Sequence, residues 1–232
     1  MKSQKQEASR RPQVKVCGLT QLNQISELMT LKVDFLGFIF YDKSPRFVLN
    51  HLSLDQISTI DHQGKIGVFV NETVGKIVEI SEKANLNFIQ LHGDENEEYV
   101  IRLRQRLNEN VKIIKVIRMG ACKSEVENEI QKISNLTRGK AELSEAKPQI
   151  SNLLFDTDSK AFGGTGKTFD WNILNEIKIP LPYFLSGGIS LENVDEIKNL
   201  IQKPFVLDIN SKFETEAGIK DLEKIKKLYA KL

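Results

Sequence analysis

Cysteine is nearly missing from this 232-residue chain, which has two, Cys17 and Cys122. Two thiols so far apart supply neither a disulfide framework nor the Cys-x-x-Cys spacing of a zinc site. Histidine is almost as scarce: His51, His62 and His92 stand at no ligand spacing, so no metal is expected. No apolar run reaches the roughly 18 residues of a membrane span, and the opening MKSQKQEASRRPQ lacks the apolar core of a secretory signal. The chain is therefore expected to be cytoplasmic and without a membrane partner. An excess of one charge is missing too. Lys+Arg (33) and Asp+Glu (31) are interleaved and leave a net +2, which is not the footprint of a nucleic-acid binder. No linker rich in glycine or proline interrupts the chain, and its 40% hydrophobic content suffices for one large core.

What the chain does have is one theme repeated eight times: a short run of β-branched and aromatic residues, then a longer stretch of helical periodicity. The strand candidates are VKVCGL from Val14, DFLGFIF from Asp34, KIGVFV from Lys65, NFIQLHG from Asn87, VKIIKVI from Val111, NLLFDT from Asn152, PYFLSGG from Pro182 and PFVLDIN from Pro204. Their near-continuous apolar character fits parallel strands covered on both faces. Ser53 with Gln56, Asp94 with Glu97, and Asn71 ahead of Val74, Ile77 and Val78 read as helix starts. Ser190 leads into Leu191, Val194, Ile197, Leu200 and Ile201, and the final stretch from Gly218 puts Leu222, Ile225 and Leu228 on one face. Between Gly120 and Gln149 a helix over Glu125 to Ile133 and a second turn at Glu142 to Ala146 form an outer insertion. These features predict a closed (β/α)8 barrel spanning residues 13–232 behind a polar tail, residues 1–12.

Such barrels place their chemistry at the carboxyl ends of the strands, with phosphate often held by the loops after strands seven and eight. Cys17 closes the first strand. Alone it reads more often as a small buried core residue than as a nucleophile or base, but it stands at a strand end facing the barrel mouth, and Lys15, two residues earlier, points to the same side. A neighbouring ammonium favours the thiolate, so the thiol pKa is expected to fall. Asp156 ends the sixth strand as either a cap or a mouth carboxylate, and Asp208 ends the eighth. Arg46, beside Pro45 in DKSPRFV, offers a rigidly presented guanidinium to a carboxylate or phosphate. Gln90 and His92 share one side of strand four. Gly187-Gly188 with Asn210-Ser211 form a candidate phosphate nest of backbone amides and a hydroxyl, against the plainer reading of tight turns.

The stretch AFGGTGKTF, from Ala161, resembles a nucleotide-binding phosphate loop, but Ala161 stands where that pattern needs its first glycine. Gly163, Gly164 and Gly166 still permit tight turns that bring backbone N–H groups close to a ligand oxygen. Asp170 can cap a helix through Trp171 and Leu174.

In chain order, KVCGLT, GFIFYDKSPRFV, GVFVN, QLHG, DT followed by GGTGKTFDW, LSGG, and LDINS with its trailing GIKD resemble the segments of the phosphoribosylanthranilate isomerase family. These are (β/α)8 enzymes of tryptophan biosynthesis, and the likeness runs from Val14 to Asp221. The resemblance implies an Amadori rearrangement of a small phosphoribosyl substrate without cofactor or metal. It makes Cys17 the general base and Asp156 the general acid, with their pKa values pushed in opposite directions. It sets Arg46 toward the anthranilate carboxylate, makes Asp208 an aid to substrate positioning, and lays the glycine-rich loop over the sugar phosphate. Two positions depart from the family pattern: Lys212 replaces a glycine and Ala217 a proline, and a left-handed turn at Lys212 would carry strain.

Other readings remain. Indoleglycerol-phosphate synthase is expected to have a longer region before strand one and a lysine-centred site. A ribulose-phosphate epimerase would need several strand-end histidines, and only His92 is so placed. A binding barrel that has lost catalysis is disfavoured by the presence of both proton-transfer residues. Monomer and homodimer are both compatible with the sequence.

Overall fold

The computed structural model describes residues 11–120, 123–138, 150–157 and 169–232. Eight parallel strands, paired each to the next and β8 back to β1, close a barrel. They are β1 (Gln13–Cys17), β2 (Phe35–Ile39), β3 (Lys65–Phe69), β4 (Phe88–Leu91), β5 (Lys112–Met119), β6 (Asn152–Thr157), β7 (Tyr183–Leu185) and β8 (Val206–Ile209). Each falls within or across its predicted run. The helices are α1 (Leu22–Thr30), α2 (Leu54–Ser58), α3 (Val74–Lys83), α4 (Glu97–Arg106), α5 (Lys123–Arg138) and α6 (Leu222–Lys231). Among the described residues, the crossovers after β6 and β7 hold only 3-10 turns, Trp171–Asn175 and Val194–Asn199. A small hairpin of β9 (Glu214–Glu216) and β10 (Ile219–Lys220) follows β8.

Strand alternation divides the apolar residues into two cores. Val14, Val16, Leu36, Phe38, Phe69, Ile89, Ile113, Ile117, Leu153 and Phe155 point outward and pack with the helices. Phe35, Ile66, Phe88, Ile114, Val116, Leu154, Phe184 and Val206 point inward and form a separate cluster. Phe35 meets the Phe88 ring edge-on with centroids 5.4 Å apart, and Phe184 lies 5.5 Å from it. This plug fills the barrel toward the strand starts. Two residues further along, the inward positions turn polar: Lys15 and Cys17 on β1, Gln90 on β4, Asp156 on β6 and Asp208 on β8. All five are buried. Each phenylalanine of the plug contributes about 1.5–3 kcal/mol of burial, whereas each buried ion costs several. The polar layer is therefore tolerable only if its charges are paired.

The helix starts correct the sequence reading in three places. Ser53 and Gln56 form a reciprocal capping box on α2, as the spacing predicts. Thr73, not Asn71, caps α3 by accepting from the Lys76 N–H, while Asn71 takes a left-handed turn with φ +50°. Asn96, not Asp94, caps α4, because Asp94 is drawn to Arg118, 2.7 Å away. The helix expected after Ser190 shrinks to the turn at Val194–Asn199. Asn193 accepts from the Ser190 N–H and donates to the Gly188 carbonyl, closing a local loop where a first helical turn would begin. Asp170 caps Trp171–Asn175 as expected. The helix foreseen over Glu125 to Ile133 is the longer α5; Cys122 and the turn at Glu142 to Ala146 lie outside the described residues. Among the described residues, no helix is long and apolar enough to cross a membrane.

Candidate active site

Lys15 is the hub of the polar layer. Fully buried, its Nζ donates to Asp208 Oδ2 at 2.9 Å and to Gln90 Oε1 at 2.6 Å. Burial alone would lower its pKa, but Asp208, and Cys17 when ionised, hold it above the ordinary lysine value. The ammonium is thus kept, but on Asp208 burial outweighs the pull of Lys15 and holds the carboxyl above the ordinary carboxylate value, so the ion pair offsets only part of the cost of burial. Asp208 Oδ1 is buried and has no partner among the described residues. A bare buried carboxylate oxygen costs stability, which marks it as an acceptor for something that enters the barrel.

Cys17 lies beside Lys15 with Gly37 of β2 against both. A Cβ on Gly37 would stand 3.0 Å from Cys17 Sγ and 3.0 Å from Lys15 Cε, so any side chain there would displace the pair. The lysine alone predicts a lowered thiol pKa, and the structure reverses that direction. Burial pushes the Cys17 thiol up, Asp208 adds to the rise, and the pull of Lys15 and Lys220 does not cancel it. The sequence shows the cation but not the desolvation.

Asp156 faces the same interior from β6. Its Oδ1 accepts from the Thr157 N–H at 2.9 Å, and its Oδ2 is 3.3 Å from His92 Nε2. His92 Nδ1 in turn lies 2.9 Å from Gln90 Nε2. One connected chain therefore crosses the mouth: Asp208, Lys15, Gln90, His92, Asp156.

Arg46 does not stand alone at the mouth as its sequence suggests. Its Nε lies 3.0 Å from both carboxylate oxygens of Glu214, and its Nη2 is 2.6 Å from Glu214 Oε2. Lys220 donates to Glu214 Oε1 at 2.5 Å and to Asn210 Oδ1 at 2.9 Å. Burial would raise Glu214, but Arg46 and Lys220 hold it below the usual carboxylate range. Glu214, Lys220 and Gly37 escape a reading of the sequence. The two charges look like ordinary surface residues in SKFETEAGIKD; the one hint is that this charged stretch contains Gly218, whose φ of +86° marks the hairpin turn.

Gly187 and Gly188 both adopt left-handed backbone, φ +83° and +77°, a conformation glycine reaches without steric cost. A Cβ on Gly187 would also run into Thr157 Oγ1. Asn210 precedes a 3-10 turn, Ser211–Phe213. Lys212 sits within that turn and is not among the residues with positive φ, so the feared strain is absent. Gly163, Gly164 and Gly166 lie outside the described residues. Among the described residues, no group of three His, Cys, Asp or Glu is arranged to hold a metal ion.

With this geometry in place, similarity to known proteins can be set beside it. The family model described as N-(5'phosphoribosyl)anthranilate (PRA) isomerase matches residues 14–231. An N-(5'-phosphoribosyl)anthranilate isomerase from Parabacteroides distasonis is 36% identical over 217 residues, 92% of this chain and 90% of that protein. The crystal structure of phosphoribosyl anthranilate isomerase from Thermotoga maritima superposes with a TM-score of 0.71 at 29% identity, covering 93% of this chain and 95% of that one. A phosphoribosyl anthranilate isomerase in complex with reduced 1-(o-carboxyphenylamino)-1-deoxyribulose 5-phosphate superposes with a TM-score of 0.68 at 27% identity, covering 93% and 95%.

Proposed function

Because the chain belongs to the N-(5'-phosphoribosyl)anthranilate isomerase family, we propose that it converts N-(5-phosphoribosyl)anthranilate to 1-(2-carboxyphenylamino)-1-deoxyribulose 5-phosphate, the Amadori step of tryptophan biosynthesis. The observation that supports this most directly is the placement of Cys17 and Asp156. Both are inward residues of one polar layer, on strands separated by β7 and β8, so a sugar between them can be approached from two sides.

Protonated Asp156 gives its proton to the furanose ring oxygen as the bond from C1′ to that oxygen breaks, and the nitrogen lone pair forms the Schiff base. The Cys17 thiolate then removes the C2′ proton. The freed electron pair becomes the C1′=C2′ bond and the imine electrons return to nitrogen, giving an enolamine that tautomerises to the ketone. The imine stores the electrons, so the chemistry calls for no redox cofactor. Asp208 Oδ1 accepts a hydrogen bond from the substrate. Arg46, braced by Glu214 through Nε and Nη2, turns Nη1 to the anthranilate carboxylate. Gly187, Gly188, Asn210 and Ser211 hold the single 5′-phosphate; amide donors suffice for that charge without a divalent ion.

Cys17→Ser and Asp156→Asn should each lower kcat by roughly two orders of magnitude or more, the scale of a lost positioned acid or base, with little change in affinity. Near-wild-type kcat in either variant would remove that residue from the mechanism. Calorimetric titration with a reduced substrate analogue should give the same binding with and without EDTA, and ATP with Mg²⁺ should not bind. Tight binding of ATP with Mg²⁺ would instead restore the nucleotide reading of GGTGKT.

A further inference from the structure

The hydrogen-bond chain across the mouth has a direction that its chemistry fixes. A lysine ammonium only donates. The Gln90 atom 2.6 Å from Lys15 Nζ is therefore the carbonyl Oε1, which turns the amide Nε2 toward His92. An amide nitrogen also only donates, so His92 Nδ1 must accept. A neutral imidazole that accepts at Nδ1 carries its hydrogen on Nε2, and Nε2 is the atom 3.3 Å from Asp156 Oδ2.

The imidazole is also held by its backbone. The His92 N–H donates to the Phe69 carbonyl at 2.8 Å, and Arg118 donates to the His92 carbonyl at 3.0 Å. The next residue, Gly93, gives its N–H to Glu95, itself paired with buried Lys115 at 3.0 Å. Asp156 from β6 faces the ring at 3.3 Å, and Asp208 from β8 is near enough to interact with it electrostatically.

We infer that Lys15, acting through the Gln90 amide, selects the Nε2–H tautomer of His92, and that His92 is thereby a positioning residue for Asp156. The Nε2–H and the Thr157 N–H then grip one oxygen each and fix the plane of the carboxyl. The kinetic half of this inference rests on Asp156 being the proton donor; the tautomer does not.

The test uses the full chain labelled with ¹⁵N-histidine at about pH 8, where imidazoles are mostly neutral. With three histidines in the sequence, loss of a signal set in His92→Gln identifies His92. His62 is an internal reference, since its Nδ1 accepts from the Gly64 N–H and its Nε2 faces the Val33 carbonyl. Wild-type His92 should show a protonated Nε2 and a bare Nδ1. In Gln90→Glu the carboxylate can only accept, so a hydrogen should appear on Nδ1 while His62 is unchanged. A hydrogen on Nδ1 in the wild type, or no change at His92 in Gln90→Glu, overturns the inference; the wild-type spectrum needs no variant to fold. In turnover, His92→Leu should lower kcat up to roughly tenfold, the scale of one hydrogen bond, at nearly constant KM. His92→Gln keeps a side-chain N–H and should recover part of the loss. Equal losses in both variants, or a loss confined to KM, defeat the positioning role. Full activity in Asp156→Asn would instead defeat the proton-donor assignment and leave the tautomer selection standing.

Discussion

A thiol held above its ordinary value is a demanding base. Cys17 stays protonated through neutrality because burial and Asp208 outweigh Lys15 and Lys220. The thiolate fraction of the free enzyme therefore grows with pH, and kcat/KM, which reports free-enzyme groups, should climb through and beyond the usual thiol region near ~8.5. Lys15→Met should move that limb further up; a flat profile across the region would exclude a Cys17 thiolate as the rate-determining base. Glu214→Ala should raise KM roughly tenfold or more by releasing Arg46 from its fork, with kcat less affected; an unchanged KM would show that Arg46 needs no brace. Lys15, Cys17, Gln90, Asp156 and Asp208 are legible in the sequence because strand alternation alone puts them on one side. The direction of the thiol shift is not, since desolvation depends on what closes over the residue. Neither is the Arg46–Glu214–Lys220 cluster: its members are 168 and 6 residues apart in sequence, and no local pattern distinguishes them from surface charges.

Strands and helices differ in how they can be read. All eight strands are legible because each inward and outward face is buried, which writes a nearly unbroken apolar run that few other elements share. Helix starts are less secure, because several polar residues near a boundary are chemically able to cap and the fold decides among them. Thr73 beside Val74 wins over Asn71, and Asn96 over an Asp94 recruited by Arg118. Thr73→Ala should accordingly cost about 1 kcal/mol in denaturant unfolding, the usual value of such a cap. A loss below a few tenths would mean the α3 terminus finds another acceptor. The Val194–Asn199 turn shows the opposite limit: an apolar periodicity suited to a helix yields to a side chain, Asn193, that ties the loop to Gly188 and Ser190. Gly187→Ala should weaken binding of the reduced analogue, because the new methyl group meets Thr157 Oγ1 and the backbone is left-handed there; unchanged affinity would remove that amide from the phosphate site.

For the whole molecule, the partly buried Arg46–Glu214–Lys220 cluster ties the loop after β2 to the hairpin after β8, and it links folding to pH. Glu214 is held below the ordinary carboxylate value in the folded state. Its contribution is therefore complete above the unfolded value near ~4.3 and is lost as pH falls through the lower folded value. The melting temperature should decline over that acidic range, and Glu214→Gln should flatten the decline; parallel curves for the two proteins would exclude the linkage. The division between an apolar plug and a polar layer above it also limits how this gene can change. Lys15 and Cys17 alternate with Val14 and Val16, so inserting or deleting one codon inside β1 would turn the two valines inward and the lysine out among the helices. Substitutions can be tried one at a time in such a strand, but length changes cannot, and viable lineages should vary in length only between strands.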